Sequence, residues 1–256
     1  MRQKKSVRHR EIIARLANQS TLRVSELADL LNVTTETIRR DLDELTDQGL
    51  ISRTYGGAVL RQGGEPVVQQ RHELMVNERT AIVKAAAPLL KGASVIMIGS
   101  GSTTTHMARR IAMEMTGITV ITHSFGVATV LSFNPTIKVL MLPGIYHSGE
   151  GAMHGPQALR FLEDFNADWT IVGASGLSPD GPTDALIEAA EIYQAMIRHS
   201  AKRMIVADGT KFDRLYTARY ARWSQIDCLV TDTKPTGPLQ KAMQSAGVET
   251  HVTEVD

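Results

Sequence analysis

A single cysteine, Cys228, stands in 256 residues, so no disulfide can form within the chain and no cysteine cluster exists to hold zinc. A disulfide-built extracellular scaffold is thereby excluded. No stretch approaches the roughly 18 apolar residues of a membrane span, and the basic residues 1–19 lack the apolar run of a signal peptide. The expectation is a cytoplasmic protein with no membrane partner. Proline is scarce at nine residues, and with 43% hydrophobic and 21% charged residues the composition is that of a globular chain with a real core. Its length predicts one sizeable domain and a smaller companion. A charge imbalance is also lacking, since the formal net charge is +1. The distribution is uneven: residues 1–61 carry eleven Lys/Arg against eight Asp/Glu, and the remainder seventeen against nineteen. That excess does not by itself indicate a nucleic acid, because affinity depends on a positioned basic face rather than a total.

What is present is a clear change of pattern along the chain. Residues 1–60 read as three short helices and a hairpin. Ile12, Ile13, Leu16 and Ala17 are spaced as a helix face after a basic lead of Arg8, His9 and Arg10. A second helix is predicted over 25–31, with Leu27, Ala28, Leu30 and Leu31 apolar, ending at Asn32 with Val33 plugging the turn. The third has Thr34 as N-cap, Ile38, Leu42 and Leu45 as its buried stripe, and Gly49 as C-cap. Residues 50–53 and 58–60 then pair around Tyr55, Gly56 and Gly57 as a wing. Residues 61–72, interrupted by Gly63, Gly64 and Pro66, are read as a linker. From 73 to 256, apolar strand-like runs at 95–98, 119–122, 138–142, 169–172, 204–207 and 229–231 alternate with helical segments. That alternation predicts an open, mainly parallel α/β sheet, because parallel strands need crossover connections.

The buried stripe of the third helix leaves Thr35, Glu36, Thr37, Arg39, Arg40 and Asp43 facing outward. Guanidinium groups on such a helix can bond guanine edges in pairs or clamp phosphates, and hydroxyls near its N-terminus suit phosphate contacts. The plainer alternative is a solvated face on which Arg39 and Arg40 pair with Glu36, Asp43 or Glu44. The three-helix order with its glycine wing favours double-stranded DNA, and the predicted contact residues are Thr34, Thr35, Thr37, Arg39, Arg40, Arg53, Tyr55, Gly56 and Gly57.

A second motif follows the first strand of the rear domain, where Gly99-Ser100-Gly101-Ser102-Thr103-Thr104-Thr105 opens a helix with Met107, Ala108 and Ile111 inward. Strand, glycine loop and helix make a cradle: N–H groups turn inward, hydroxyls add donors, and the helix terminus favours an anion. A turn that merely closes a crossover is the alternative. The nucleotide patterns Gly-x-x-x-x-Gly-Lys-Ser/Thr and Gly-x-Gly-x-x-Gly are both absent, so the predicted ligand is a small anionic sugar derivative. No metal or other cofactor is called for. Further candidates sit where strands should end: His123 (either a ligand contact or a capping or core-edge residue), Ser124, Gly144, Asp208 and Lys211. With Gly99, Ser100, Gly101, Ser102, Thr103 and Thr104 they form the predicted effector site.

Two stretches, Glu26-Leu27-Ala28 with Val33 through Leu42, and Arg53-Thr54-Tyr55-Gly56-Gly57-Ala58, resemble the winged helix-turn-helix of the DeoR family of transcriptional regulators. Thr37-Ile38-Arg39-Arg40-Asp41-Leu42 carries the likeness most strongly, with Thr34 where the family usually has serine. The rear domain resembles the family's sensor at residues 99–103, 122–124, 143–144 and 208–212. Gly99 replaces an acidic residue there and His123 an amide, which implies a somewhat different effector. The resemblance implies a DNA-binding regulator, usually a repressor of sugar or polyol catabolism, that responds to a phosphorylated or otherwise anionic sugar. Paired half-sites then imply a homo-oligomer, dimer or tetramer, with Trp169, Trp223 or Phe161 in an interface or in the core. The rear domain also resembles ribose 5-phosphate isomerase, and the rival reading is an isomerase-like enzyme. Against it, Val172-Gly173-Ala174-Ser175-Gly176-Leu177 offers no carboxylate before Asp180 to act as base.

Overall fold

The computed structural model describes residues 5–18, 22–47, 51–54, 57–60 and 66–253. The chain divides into two compact units, Met1–Pro66 and Val67–Asp256.

In the first unit, α1 (Lys5–Asn18), β1 (Leu22–Arg23), α2 (Val24–Leu31) and α3 (Thr35–Asp47) precede a hairpin of β2 (Ile51–Thr54) and β3 (Gly57–Leu60). Ile12, Leu16, Leu27, Leu31, Ile38, Leu42, Leu45 and Ile51 form one buried cluster, as their helical spacing predicts. The turn between α2 and α3 is a Schellman closure. Asn32 is left-handed at φ +50°, Val33 N–H reaches Ala28 O at 3.0 Å and Asn32 N–H reaches Asp29 O at 3.3 Å. Val33 packs against the cluster.

Two features differ from the expectation. The basic lead belongs to α1 itself, and Arg8 is buried against Asp41 of α3. A short strand, β1, also joins the wing, pairing Leu22 with Ala58 and Arg23 with Gly57; two residues carry no periodicity from which to read it. A Cβ at Gly57 would stand 2.2 Å from the Leu22 carbonyl oxygen, so glycine is required for that approach. Gly57→Ala should therefore lower the stability of this unit by about 1–3 kcal/mol, read from its denaturation midpoint. An unchanged midpoint would show the β1 pairing to be dispensable.

The second unit begins with α4 (Val68–Arg71) and α5 (Val76–Ala86), followed by β4 (Val95–Ile98), α6 (Ser102–Glu114), β5 (Thr119–Thr122), α7 (Phe125–Leu131) and β6 (Lys138–Met141). A hairpin of β7 (Ile145–His147) and β8 (Ala152–His154), then α8 (Pro156–Leu162), lead to β9 (Ala167–Val172). The chain continues through β10 (Gly176–Ser178), β11 (Gly181–Asp184), α9 (Ile187–Arg198), β12 (Ser200–Val206), β13 (Ala218–Arg219), β14 (Cys228–Thr231), α10 (Gly237–Ser245) and β15 (Glu249–Val252). Among the described residues seven strands form one sheet in the order β15-β14-β12-β9-β4-β5-β6, and every pairing in it is parallel.

Both faces of the sheet are covered, which is why its central strands read as continuous apolar runs. Ile96 and Ile98 pack with α5, α6 and α7, while Met97 packs with α8 and α9 on the other face. Trp223 belongs to the core beside α9 and α10 and donates its indole N–H to Ser178 O at 2.9 Å. Trp169 and Phe161 are partly buried against the other clusters.

The six expected strand runs match six strands of the sheet. The seventh, β15, is an edge strand whose Glu249-Thr250-His251-Val252 is mostly exposed, so no apolar run announces it. The hairpin of β7 and β8 and the antiparallel sheet β10-β11-β13 are too short to read. Within the stretch expected to be linker, residues 68–71 form α4: Val68 N–H reaches Gly149 O at 2.9 Å, and the Arg71 guanidinium is bonded to Glu150. Among the described residues no helix is long and apolar enough to cross a membrane, and no group of three or more His, Cys, Asp or Glu side chains is arranged to hold a metal.

Candidate functional site

Helix α3 begins at a capped end. Thr34 Oγ1 accepts the Thr37 N–H at 3.2 Å, and the two hydroxyls lie 2.9 Å apart. Its buried stripe turns Thr35, Glu36, Arg39, Arg40 and Asp43 into solvent. The Arg39 and Arg40 side chains are 58% and 77% exposed, and they lie 3.8 and 3.4 Å from the Glu36 carboxylate. Exposed pairs of this kind contribute about 0–1 kcal/mol. They are easily exchanged for contacts to an anionic partner, so the solvated face and the DNA-reading face are compatible. Arg53 stands opposite Ala58 on the wing, but its side chain, with Tyr55, Gly56 and Gly49, lies outside the described residues.

Among the described residues of α3, Asp41 is the buried polar side chain. Its Oδ1 accepts from Arg8 Nη2 at 2.9 Å and lies 3.1 Å from His9 Nε2. Burial pushes the Asp41 carboxyl up, but the bonds from Arg8 and His9 outweigh it and hold the group below the usual carboxylate range. Position 41 is three residues after Ile38 and four before Leu45, the same face as the stripe; that spacing is the signal from which its burial was legible.

In the rear unit, the sheet grows from β4 to β5 and β6, then returns to the other flank of β4 with β9. The carboxyl ends of β4 and β9 therefore bound a crevice at the point where the strand order reverses. The loop after β4 fills one side of it. Gly99 extends the ladder, its N–H meeting Ile171 O at 2.9 Å, and a Cβ there would come within 2.7 Å of the Tyr193 ring. Tyr193, from α9, thus occupies the space that a side chain at 99 would need. Its hydroxyl donates to Ser100 O at 2.9 Å and lies 3.1 Å from Ser100 Oγ.

Gly101, at φ +131°, caps α6. Its carbonyl oxygen accepts from the hydroxyls of Thr104 and Thr105 at 3.0 and 2.7 Å. Those two hydroxyl protons therefore brace the loop and do not point at a ligand. The N–H groups of the first helical turn have no intrahelical acceptor, as at any helix start. With the buried Ser102 and Thr103 hydroxyls they make a donor-rich terminus suited to an oxyanion.

The remaining predicted residues lie along the same rim in more structural roles. His123 is fully buried; its Nε2 accepts the Ser100 N–H at 2.9 Å and its Nδ1 is 3.0 Å from Met153 O. These partners assign the proton to Nδ1, and burial with the neighbouring His154 lowers the pKa to about 3. With both nitrogens engaged, His123 fastens the loop to β8, which matches its core-edge reading. Ser124 caps α7 through Val127 N–H at 3.3 Å. Gly144 sits where a Cβ would be 2.4 Å from His154 O. Asp208 accepts Thr210 N–H at 3.1 Å and is buried in its own turn, with Lys211 half-buried behind it. Both follow β12, two strands from β4.

Tyr193 and His154 were not found from sequence, because each reaches the loop from a distant element. His154 is 96% buried by its 4% exposure, and its ring lies 5.1 Å from that of His123 and 5.8 Å from that of His147. His106 is lowered to about 4, by burial first and then by Arg109 and Arg79, and His72 is lowered by burial and by Arg109, Arg79 and Arg71. Where the isomerase reading requires a carboxylate after β9 the chain has Gly173, Ala174 and Ser175, and Asp184 Oδ1 accepts Leu186 N–H at 2.9 Å.

Residues 8–62 match the model of the DeoR-like helix-turn-helix domain, and residues 74–233 that of the DeoR C-terminal sensor domain. The chain is 32% identical over 247 residues to the HTH-type transcriptional repressor CsqR of Escherichia coli (strain K12), covering 94% of this chain and 93% of that protein. It is 29% identical over 237 residues to the glycerol-3-phosphate regulon repressor of the same organism, covering 91% and 92%. Among solved structures, ribose 5-phosphate isomerase A from Methanocaldococcus jannaschii aligns with a TM-score of 0.39 at 17% identity, over 52% of this chain and 53% of that one; a likeness so distant carries no argument.

Proposed function

Because this chain belongs to the DeoR family of DNA-binding transcriptional regulators, we propose that it represses a sugar or polyol catabolic operon and is released from its operator by a phosphorylated or otherwise anionic sugar. The first turn of α6 carries the sensing half of this reading: free N–H groups and two buried hydroxyls converge at a strand-order reversal, with three arginines acting on the neighbouring histidines. Thr35, Thr37, Arg39 and Arg40 of α3 carry the DNA half, with Thr34 ordering the helix start. Relatives bearing the names of repressors, one of them of a glycerol-3-phosphate regulon, support repression and a small anionic effector.

A route from the cradle toward the start of the sensor unit supports coupling between the two activities. Ser100 N–H is held by His123, and Met153 N–H of β8 donates to His123 O at 2.8 Å. The β7–β8 turn in turn holds α4 through Gly149 with Val68 and Glu150 with Arg71. An anion that reshapes the loop pulls on this chain of contacts. A coupling of about 1–3 kcal/mol is a normal size for such a device. Symmetric operators call for a homo-oligomer, dimer or tetramer.

The test is binding of the purified protein to the DNA upstream of its own gene, titrated with sugar phosphates and sulfonated sugars. Release by one class establishes repressor and effector together; unaltered affinity with every compound at all salt concentrations rejects the coupling. Thr103→Val should keep operator affinity while shifting the effector midpoint about tenfold or more, the size of one lost hydrogen bond to a charged group. An undiminished response would reject the cradle.

A further inference from the structure

Beside His123, which holds the loop after β4, stands a buried polar side chain for which the described residues supply no hydrogen-bond partner. His154 is 4% exposed, yet among the described residues neither Nδ1 nor Nε2 has a hydrogen-bond partner. Buried polar groups in native proteins are nearly always paired, and an orphan calls for an explanation. Its place supplies one. The His154 ring stands 5.1 Å from that of His123, whose Nε2 holds the Ser100 N–H at 2.9 Å, so it is one ring removed from the cradle backbone. His147 flanks it on the other side at 5.8 Å, and the Glu188 carboxylate at the start of α9 acts on it electrostatically.

We propose that His154 is the residue that reads a hydroxyl of the effector, beside the anion held at the start of α6. This inference rests on the reading of that helix start as the effector site. The chemistry of the two positions is complementary. The helix terminus offers donors, which suit the acceptor-only oxygens of a phosphate or sulfonate. A neutral imidazole offers one donor and one acceptor, the pairing that a hydroxyl satisfies. Burial and His147 lower the His154 pKa to about 4 against the opposing pull of Glu188, so the ring is neutral near pH 7. The ligand class is therefore a small polyol derivative carrying an oxyanion at one end and a hydroxyl within reach of His154, and an inorganic anion fills only half the site.

Calorimetric titration of the full-length protein with inorganic phosphate and with a panel of sugar and polyol phosphates tests this. The quantity read is the ratio of the tightest panel member's affinity to that of phosphate. His154→Leu should cut this ratio about tenfold or more and leave phosphate affinity unchanged, whereas His154→Gln, which keeps a donor and an acceptor, should retain most of it. Thr103→Val should weaken phosphate and panel members alike. The proposal is overturned by an unchanged ratio in His154→Leu, by equal loss of phosphate and panel binding, or by a wild-type protein that binds phosphate as tightly as any panel member. A wild-type protein that binds neither overturns the effector site itself, and this inference with it. Melting without ligand adds an independent reading: His154→Leu should melt at or above the wild-type temperature, and a fall of several degrees in both His154→Leu and His154→Met would show the ring to be a structural partner instead.

Discussion

Asp41→Ala is expected to destabilise the DNA-reading unit by about 3–5 kcal/mol, the usual result of removing one member of a buried ion pair. The substitution leaves the Arg8 guanidinium, 7% exposed, without the carboxylate that balances it, and takes a partner from His9. A unit of this size has little margin against such a loss. Amide exchange should therefore accelerate across α1, α2 and α3 while the seven-stranded sheet keeps its protection. The pH dependence follows from the sign of the shift. The folded carboxyl lies below its unfolded value, so its contribution is fully present above about pH 4 and is lost as pH falls through the folded value; Asp41→Ala should flatten the acid limb of the unit's stability curve. Replacing both partners with apolar residues, Arg8→Met with Asp41→Leu, should recover most of the loss, since it removes the stranded charge along with the pair. A cost below 1 kcal/mol for Asp41→Ala would show that water reaches the pair.

The paired variant Arg39→Ala and Arg40→Ala should produce the opposite phenotype, with folding intact and operator binding lost. Both side chains are exposed and pair with Glu36 along the helix, so thermal stability should change by no more than about 0.5 kcal/mol. Each good DNA contact contributes about 1–3 kcal/mol, and the two together should weaken operator affinity by about 30-fold to 25,000-fold. Salt dependence separates their roles. A phosphate clamp removed lowers the slope of log affinity against log salt by about one, whereas a base reader removed relaxes discrimination at one operator position and leaves the slope alone. Normal operator affinity in this variant would reject α3 as the reading helix.

Sequence periodicity carried furthest where a residue's role depends on its neighbours along one element. Ile38, Leu42 and Leu45 define the inner face of α3 without reference to anything else, and the Ser102–Thr105 run after an apolar strand announces a helix start at that strand's carboxyl end. What could not be read depends on distant partners. Asp41 is on the buried face by spacing, but that its partner is Arg8 follows only from how α1 crosses α3. Gly99 stands in the glycine loop by sequence, but that a side chain there would meet the Tyr193 ring follows only from where α9 lies. His123 reads equally as a ligand contact or as a capping or core-edge residue until both its nitrogens are found engaged within the protein, and His154, on a three-residue strand, has no local pattern at all. Edge and hairpin strands such as β15 and β7 escape because a mostly exposed strand has no apolar alternation to show.

The strand order bears on how the chain acquires its shape during synthesis. Among the described residues the strand pairings of the first unit lie within residues 22–60, so these contacts are local and close quickly. The sheet is different: its interior strand β4 gains its second neighbour only with β9, and the clamp of Asp168 on the Ser94 and Val95 N–H groups spans 74 and 73 residues. Long parallel closures are slow, and domains mature from the N-terminus as the chain emerges. The DNA-reading unit is therefore complete while the sensing unit is still an open half-sheet. On the proposed reading, a nascent or truncated chain ending before residue 167 would present α3 to DNA before the sheet that answers the effector is closed.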